Sequence, residues 1–161
     1  MSMHTYTARC EWFGRTSEGY EAYDRTHTVT APPAQTPLRL SSDPAFHGDG
    51  RLLNPEQLLV AAASSCQLLE FLALAAKARI DVLEYADEAE GSMDDSQEPA
   101  WIQRIELAPK IVVAAGTSRE RVRKLVATAH RHCYVANSLR TEIVVKPEIV
   151  FLVESQVAID P

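Results

Sequence analysis

The sequence predicts an α+β fold, and three observations lead to it. Alternating apolar and polar residues occur near both ends of the chain, as is typical of half-buried strands. A long apolar run from Asn54 to Ile80 begins with a helix cap. A second capped stretch, which follows Thr117, carries its apolar residues on one stripe. At 161 residues, the chain is expected to form one domain over residues 1–161.

The N-terminal part predicts a meander of two or three strands. Thr5–Phe13 alternates, with Cys10 on its more apolar face, so we expect Cys10 to fill the core. Gly14–Gly19 has turn composition, and Tyr20–Thr30 resumes extended structure. The connector Ala31–Gly50 is long for a compact domain, so we expect it to be functional or to wrap a partner.

The run from Asn54 to Ile80 predicts the central helix. Asn54 can cap it, Pro55 suits the first helical position, and Gln57 completes a capping box. The residues that follow are apolar on almost every side, which favours burial at the centre of the fold or of a dimer. Cys66 lies near the middle of this helix.

The rest of the chain predicts two strands, a helix and a last strand, which gives the order β-β(-β)-α-β-β-α-β. The helix begins at a capping box in Thr117–Glu120 and bears Cys133 at its end. An acidic loop, Met93–Pro99, separates the first two strands. The three strands are Asp81–Ser92, Trp101–Ala114 and Thr141–Val153, the last with Pro147 at an edge or bulge.

Composition excludes several classes of function. The net charge of −6 argues against nucleic-acid binding, which needs clustered basic residues. Glu70 and Lys77 interrupt the apolar helix, so no charge-free run reaches the ~18 residues typical of a membrane span. The N-terminus lacks the apolar core of a signal peptide, and we expect a cytoplasmic protein. Three cysteines, an odd number, indicate reactive or buried thiols rather than a disulfide framework.

Two chemical interpretations of the helical cysteines stay open from composition alone. Cys66 and Cys133 are either a peroxidatic and a resolving thiol or small buried apolar residues. A metal site is not expected: His130 and Cys133 share a helix face, but His132 points away and a structural zinc usually needs four ligands. No cofactor is expected either, since the chain has no Gly-rich phosphate loop.

Local motifs favour the first interpretation. Asn54-Pro55-Glu56-Gln57-Leu58-Leu59 is followed by Ala62-Ala63-Ser64-Ser65-Cys66, and later by Ala129-His130-Arg131-His132-Cys133 and Ala136-Asn137-Ser138-Leu139. Together these resemble the OsmC/Ohr family, whose members carry an NPEELL-type helix start, a cysteine about ten residues later and a second cysteine near the end of the following helix. The resemblance covers nearly the whole chain. It implies an OsmC-like fold, with antiparallel sheets packed around long buried central helices in an intertwined homodimer.

The resemblance also implies a thiol-dependent peroxidase that reduces organic hydroperoxides. Cys66 would attack the peroxide as a thiolate and become a sulfenic acid, and Cys133 would then close a disulfide. A cellular dithiol, in some family members a lipoylated protein, would reopen that disulfide. The substrate needs an apolar channel, for which Phe46 and Tyr134 are candidates.

A reactive thiolate in apolar surroundings needs a nearby cation, because an ordinary cysteine has a pKa near 8.5 and burial raises it. The family uses an arginine from an early strand, held by the glutamate of the helix-start motif. Glu56 matches that glutamate, and Arg25 is our preferred arginine, with Arg39 and Arg51 as alternatives in the connector. Alternatively, Arg25 is an exposed strand residue. Glu56 could likewise be a first-turn carboxylate that only complements the helix dipole.

Spacing suggests how the site is assembled. Glu56 and Cys66 lie roughly 15 Å apart along one helix, too far for one arginine to link them within that helix. We therefore expect a two-fold homodimer in which Glu56 of one subunit approaches Cys66 of the other. Gln67 stands where many close relatives have histidine after the first cysteine. Two other functions stay open: a non-enzymatic protein that binds a small apolar ligand, and a redox sensor without turnover.

Overall fold

The computed structural model describes residues 2–152. The chain forms two compact units, Met1–Leu58 and Leu59–Pro161. Helices and three three-stranded sheets confirm the α+β class. Two of the sheets are mixed rather than antiparallel, because each contains one parallel pair of strands. The single domain expected over residues 1–161 stays a prediction.

The first unit contains a meander of three strands, of which the third lies inside Ala31–Gly50, predicted from the sequence as a connector. These are β1 (Arg9–Glu11), β2 (His27–Thr30) and β3 (Leu38–Leu40), which pair antiparallel in that order. The first strand is shorter than predicted, and Cys10 within it is exposed, so the core position expected for this residue is wrong. The physical reason is that β1 is an edge strand in a unit with few buried residues, and its more apolar face has no core to meet.

The helix predicted for Asn54–Ile80, α1, runs from Pro55 to Lys77. Its capping box is confirmed in both directions: the Gln57 amide donates to Asn54 Oδ1 at 2.8 Å, and the Asn54 amide donates to Gln57 Oε1 at 3.1 Å. Within this chain α1 buries only Ala63, Gln67, Phe71 and Ala75, which are spaced at three or four residues. By length and composition alone α1 could also cross a membrane, despite Glu70 near its middle.

A second face of α1 is apolar and exposed. Leu69 is 64% exposed and Leu72 is 37% exposed. They lie in a stripe with small exposed residues of the same helix: Ala62, Ser65, Ala73 and Ala76. We call this stripe the open face of α1. Burial on all sides, as the sequence predicts, would require something that covers this face.

In the second unit each predicted strand is divided into two, and the two halves join different sheets. One sheet has the order β4-β7-β9 and the other β5-β6-β8. The strands are β4 (Val82–Asp87), β5 (Glu90–Met93), β6 (Ile102–Leu107), β7 (Pro109–Ala114), β8 (Glu142–Val145) and β9 (Glu148–Leu152). Pro147 lies between β8 and β9, so it separates two strands and does not form a β-bulge within one. Val153, the predicted end of the last strand, lies outside the described residues.

Helix α2 spans Arg119–His132, and a short helix, α3, follows at Tyr134–Asn137. The cap of α2 is Ser118, whose Oγ accepts from the Arg121 amide at 3.2 Å, one residue later than the predicted capping box implies. The buried stripe of α2 packs against that of α1 and against β7 and β9 in the main core. This packing sets the second half of α1 beside the end of α2.

Candidate functional site

The second unit brings the two helical cysteines together. Cys66 is half-buried on α1, and Cys133 is buried at the end of α2, where it is 2% exposed. The Cys133 sulfur also caps α3, since it accepts from the Ala136 amide at 3.4 Å. Both thiols are free in this structure.

Burial and the neighbouring Cys66 thiol together determine the protonation of Cys133. Burial raises the pKa of the Cys133 thiol to about 11, and the neighbouring Cys66 thiol contributes to that rise. The Ala136 amide acts in the opposite direction but is outweighed. At neutral pH Cys133 is therefore a protonated thiol, poorly suited to attack a peroxide directly.

Two polar contacts join α1 to α2 near these thiols. Gln67 Nε2 donates to the Val126 carbonyl at 3.1 Å inside the core. Glu70, one turn beyond Cys66, lies 3.5 Å from His132 Nδ1, measured from its Oε1. Glu70 is thus engaged by an imidazole that neutralises its charge when protonated.

The first unit contains a cavity of about 450 Å³. Its walls are mainly aromatic and hydroxyl side chains, together with one arginine and one glutamate. The lining residues are Cys10, Trp12, Thr16, Tyr20, Tyr23, Arg25, His27, Ser41, Ser42, Phe46, Pro55 and Glu56. We call this space the aromatic cavity; it suits a small molecule that is largely apolar.

Arg25 is held in the wall of the aromatic cavity by aromatic rings and carbonyls. It is 9% exposed, and its guanidinium lies 4.0 Å from the centre of the Tyr23 ring and 5.0 Å from that of Tyr20. The guanidinium donates to the carbonyl oxygens of the same two tyrosines, to Tyr23 at 2.9 Å. Because these partners are neutral, they orient the cation without cancelling its charge.

Glu56 lines the same cavity, at the first turn of α1. The hydrogen bonds of Arg25 run to carbonyls rather than to Glu56, so the clamp expected from the family is not formed here. Arg39, on β3, is exposed, and Arg51 is bound to Asp49 at 2.7 Å. Of the three arginines considered, Arg25 alone lines the cavity.

Sequence reasoning missed two features of the cavity. Cys10 lines it, although alternation pointed to the core, and no pattern in the sequence would have corrected that prediction. Tyr20 and Tyr23 hold Arg25. Two tyrosines shortly before an arginine in a turn-rich segment could have indicated this contact. Phe46 lines the cavity as expected, whereas Tyr134 is 80% exposed.

Between residues 2 and 152, no group of three or more His, Cys, Asp or Glu side chains is arranged to hold a metal ion. His130 nevertheless has a buried Nδ1 without a hydrogen-bond partner. A separate pocket is lined by this histidine and by Arg131, Asn137 and Thr141, among others.

Comparison with protein families and with solved structures gives the same family. The OsmC-like protein family matches residues 48–148. An OsmC-like protein of unknown function from Vibrio cholerae has 30% sequence identity and a TM-score of 0.81, with 91% of this chain and 100% of that chain covered. No protein with a curated description matches this chain.

Two more distant structures share the fold. The organic hydroperoxide resistance protein OsmC of Legionella pneumophila is 21% identical, with a TM-score of 0.66 over 93% of this chain and 99% of that one. The organic hydroperoxide resistance protein OhrB of Bacillus subtilis is 19% identical, with a TM-score of 0.59 over 92% and 99%.

Proposed function

This chain belongs to the OsmC-like protein family, and from that membership we propose that it is a thiol peroxidase that reduces organic hydroperoxides. The observation that carries the proposal is the pairing of Cys66 with Cys133, two residues distant in sequence of which the first helps to raise the pKa of the second. The names of the Legionella and Bacillus relatives agree with this substrate class.

In the proposed reaction, the Cys66 thiolate attacks the terminal peroxide oxygen and the O–O bond breaks. Cys66 becomes a sulfenic acid, and the alkoxide takes a proton to leave as the alcohol. Cys133 then gives up its proton and attacks the Cys66 sulfur as a thiolate, and the sulfenic hydroxyl takes a proton and leaves as water. A dithiol reductant, for which a lipoylated protein is our candidate, restores both thiols and is itself oxidised to a disulfide.

The state of Cys133 supports this division of roles. With a pKa raised to about 11, Cys133 is protonated at pH 7, which leaves Cys66 as the first nucleophile. Arg25 is proposed as the cation that favours the Cys66 thiolate, and Glu56, which lines the same cavity, as the second charged group of the site. The aromatic cavity beside Arg25 would then receive the alkyl part of the substrate.

We propose a homodimer with two composite sites. The rise of α1 places Glu56 roughly 15 Å from Cys66 along the helix, so a second copy is needed to complete each site. The open face of α1 supports this, since an apolar stripe that includes Leu69 at 64% exposure is unfavourable in water. Leu69→Lys is expected to yield monomers in sedimentation experiments and to lower turnover. A dimeric Leu69→Lys would refute this arrangement.

The decisive assay uses an alkyl hydroperoxide, dihydrolipoamide and three serine variants. Cys66→Ser should abolish turnover, whereas Cys133→Ser, in the absence of dithiol, should consume one equivalent of peroxide without forming an intramolecular disulfide. Cys10→Ser is the matched control, because it removes the remaining thiol, and it should retain turnover. An active Cys66→Ser would refute the proposal. An alkyl hydroperoxide should also be reduced faster than hydrogen peroxide, since the cavity walls are largely apolar.

The aromatic cavity favours one alternative, a protein that binds a small apolar ligand without turnover. That alternative predicts saturable binding of an alkyl alcohol with no peroxide consumption. A redox sensor would form the Cys66–Cys133 disulfide yet show no multiple turnover with dihydrolipoamide. A cytoplasmic location, where free thiols persist, suits all three functions.

A further inference from the structure

Gln67 is a buried polar residue whose hydrogen bonding is only half complete. It is 1% exposed on a face of α1 that otherwise buries Ala63, Phe71 and Ala75. Its Nε2 donates to the Val126 carbonyl at 3.1 Å, while its Oε1 is buried without a partner. An unpaired buried acceptor costs at least as much as one hydrogen bond contributes. Stability alone therefore does not account for an amide here.

The bond that Gln67 makes joins the two helices that carry the thiols. Gln67 directly follows Cys66, and Val126 lies about two turns before Cys133 on the buried stripe of α2. An N–H···O bond has a narrow range of length and angle, whereas apolar side chains tolerate sliding and rotation. The Gln67 amide therefore restricts how α1 sits against α2, at a point next to Cys66 and about two turns before Cys133.

We infer that Gln67 is a positioning residue that holds the Cys66 sulfur within bonding reach of Cys133. It acts through the spacing of the helices and touches neither peroxide nor reductant. The contact of Glu70 with His132 also joins α1 to α2, but both side chains are partly exposed, so it restrains the helices less. This inference rests on the disulfide of the proposed function, not on peroxide turnover.

The test is the equilibrium between the thiol pair and glutathione. One oxidised glutathione accepts two electrons and two protons as the Cys66–Cys133 disulfide forms, and two reduced glutathiones are released. Alkylation and mass spectrometry give the equilibrium constant. Gln67→Met, which fills similar space without the donor, is expected to lower it by about fivefold or more, since one hydrogen bond contributes ~1 kcal/mol net and tenfold is ~1.4 kcal/mol.

Stability separates positioning from general support of the fold. Gln67→Met removes the unpaired oxygen. The Val126 carbonyl still accepts its hydrogen bond within α2, so the urea midpoint of this variant should equal or exceed that of the wild type. Gln67→Asn, whose shorter amide falls short of Val126, should also lower the constant, which covers the case in which the methionine variant does not fold. Gln103→Met is the matched control; Gln103 contacts Asp94 at the surface and should leave the constant unchanged.

The outcomes distinguish this inference from the proposed function. Folded Gln67→Met and Gln67→Asn with the wild-type constant would overturn the positioning role and leave the peroxidase proposal intact. A lowered constant in these variants, with no hydroperoxide turnover in any form, would support positioning and refute the peroxidase. A wild-type chain that forms no Cys66–Cys133 disulfide would overturn both.

Discussion

Replacing Cys133 with alanine should remove a pH dependence of stability that the wild type shows between about pH 9 and pH 11. The native thiol has a pKa of about 11, against an ordinary value of 9.0, mainly because it is buried. Between these values the unfolded chain has released a proton that the native chain keeps. The unfolded state therefore binds fewer protons, and stability falls as the pH rises through this range.

The magnitude follows from the same two values. Each pKa unit corresponds to about 1.4 kcal/mol, so the wild type should lose up to about 3 kcal/mol from Cys133 between pH 9 and 11. Below pH 9 the thiol is protonated in both states, and this contribution to the pH dependence disappears. Burial raises the pKa of Tyr85 as well, but Tyr85 is present in both proteins and cancels in the difference.

Urea unfolding at several pH values gives both curves. Cys133→Ala is less stable at every pH because it leaves a cavity, so the quantity to compare is the change with pH, not the absolute free energy. A wild-type curve parallel to that of Cys133→Ala above pH 9 would refute the burial of this thiol, and with it the division of roles between the two cysteines.

Three other substitutions test the scaffold by urea unfolding. Asn54→Ala should cost about 1 kcal/mol because it removes the side-chain acceptor at the start of α1, and Asn54→Asp should recover most of that loss; equal stability of Asn54→Ala and the wild type would contradict the cap. Gly91→Ala should cost about 1 to 3 kcal/mol, since the added Cβ would lie 2.6 Å from Val60 Cγ2. Adding Val60→Ala should relieve this overlap. If the losses of unfolding free energy in the two single variants simply add in the double variant, the two residues are not in contact. Phe71→Ala should cost about 3 to 5 kcal/mol, because this ring is fully buried in the main core, whereas a loss below 1 kcal/mol would place it outside the core.

Local interactions were the most predictable part of this chain. The start of α1 is encoded within four residues by Asn54, Pro55 and Gln57, and two hydrogen bonds join Asn54 to Gln57. The first two strands of the first unit likewise lie within segments predicted from alternation and turn composition. In both cases the residues that determine the structure are neighbours in sequence.

Features that depend on distant contacts were predicted poorly. Alternation runs through Asp81–Ser92, but it cannot show that β4 and β5 enter different sheets, because the switch takes only two residues. It also assigned Cys10 to a core that the first unit does not build. Which side of an edge strand faces a cavity depends on what folds over it.

The candidate site shows the same division. Motifs pointed to Cys66 and Cys133 through family resemblance, while their spacing alone would not have paired them. The choice among three arginines needed the structure, because only Arg25 lines the aromatic cavity. The half-paired amide of Gln67 could not be foreseen, since its partner, Val126, lies on another helix.

The two sheets of the second unit share their strands in a way that constrains errors. The segments 82–93, 102–114 and 142–152 each contribute one strand to each sheet. A slip of one residue in any segment would misalign two ladders at once and turn inward side chains outward in both. A wrong strand register in one segment would therefore disrupt hydrogen bonding and packing in both sheets of the second unit at the same time.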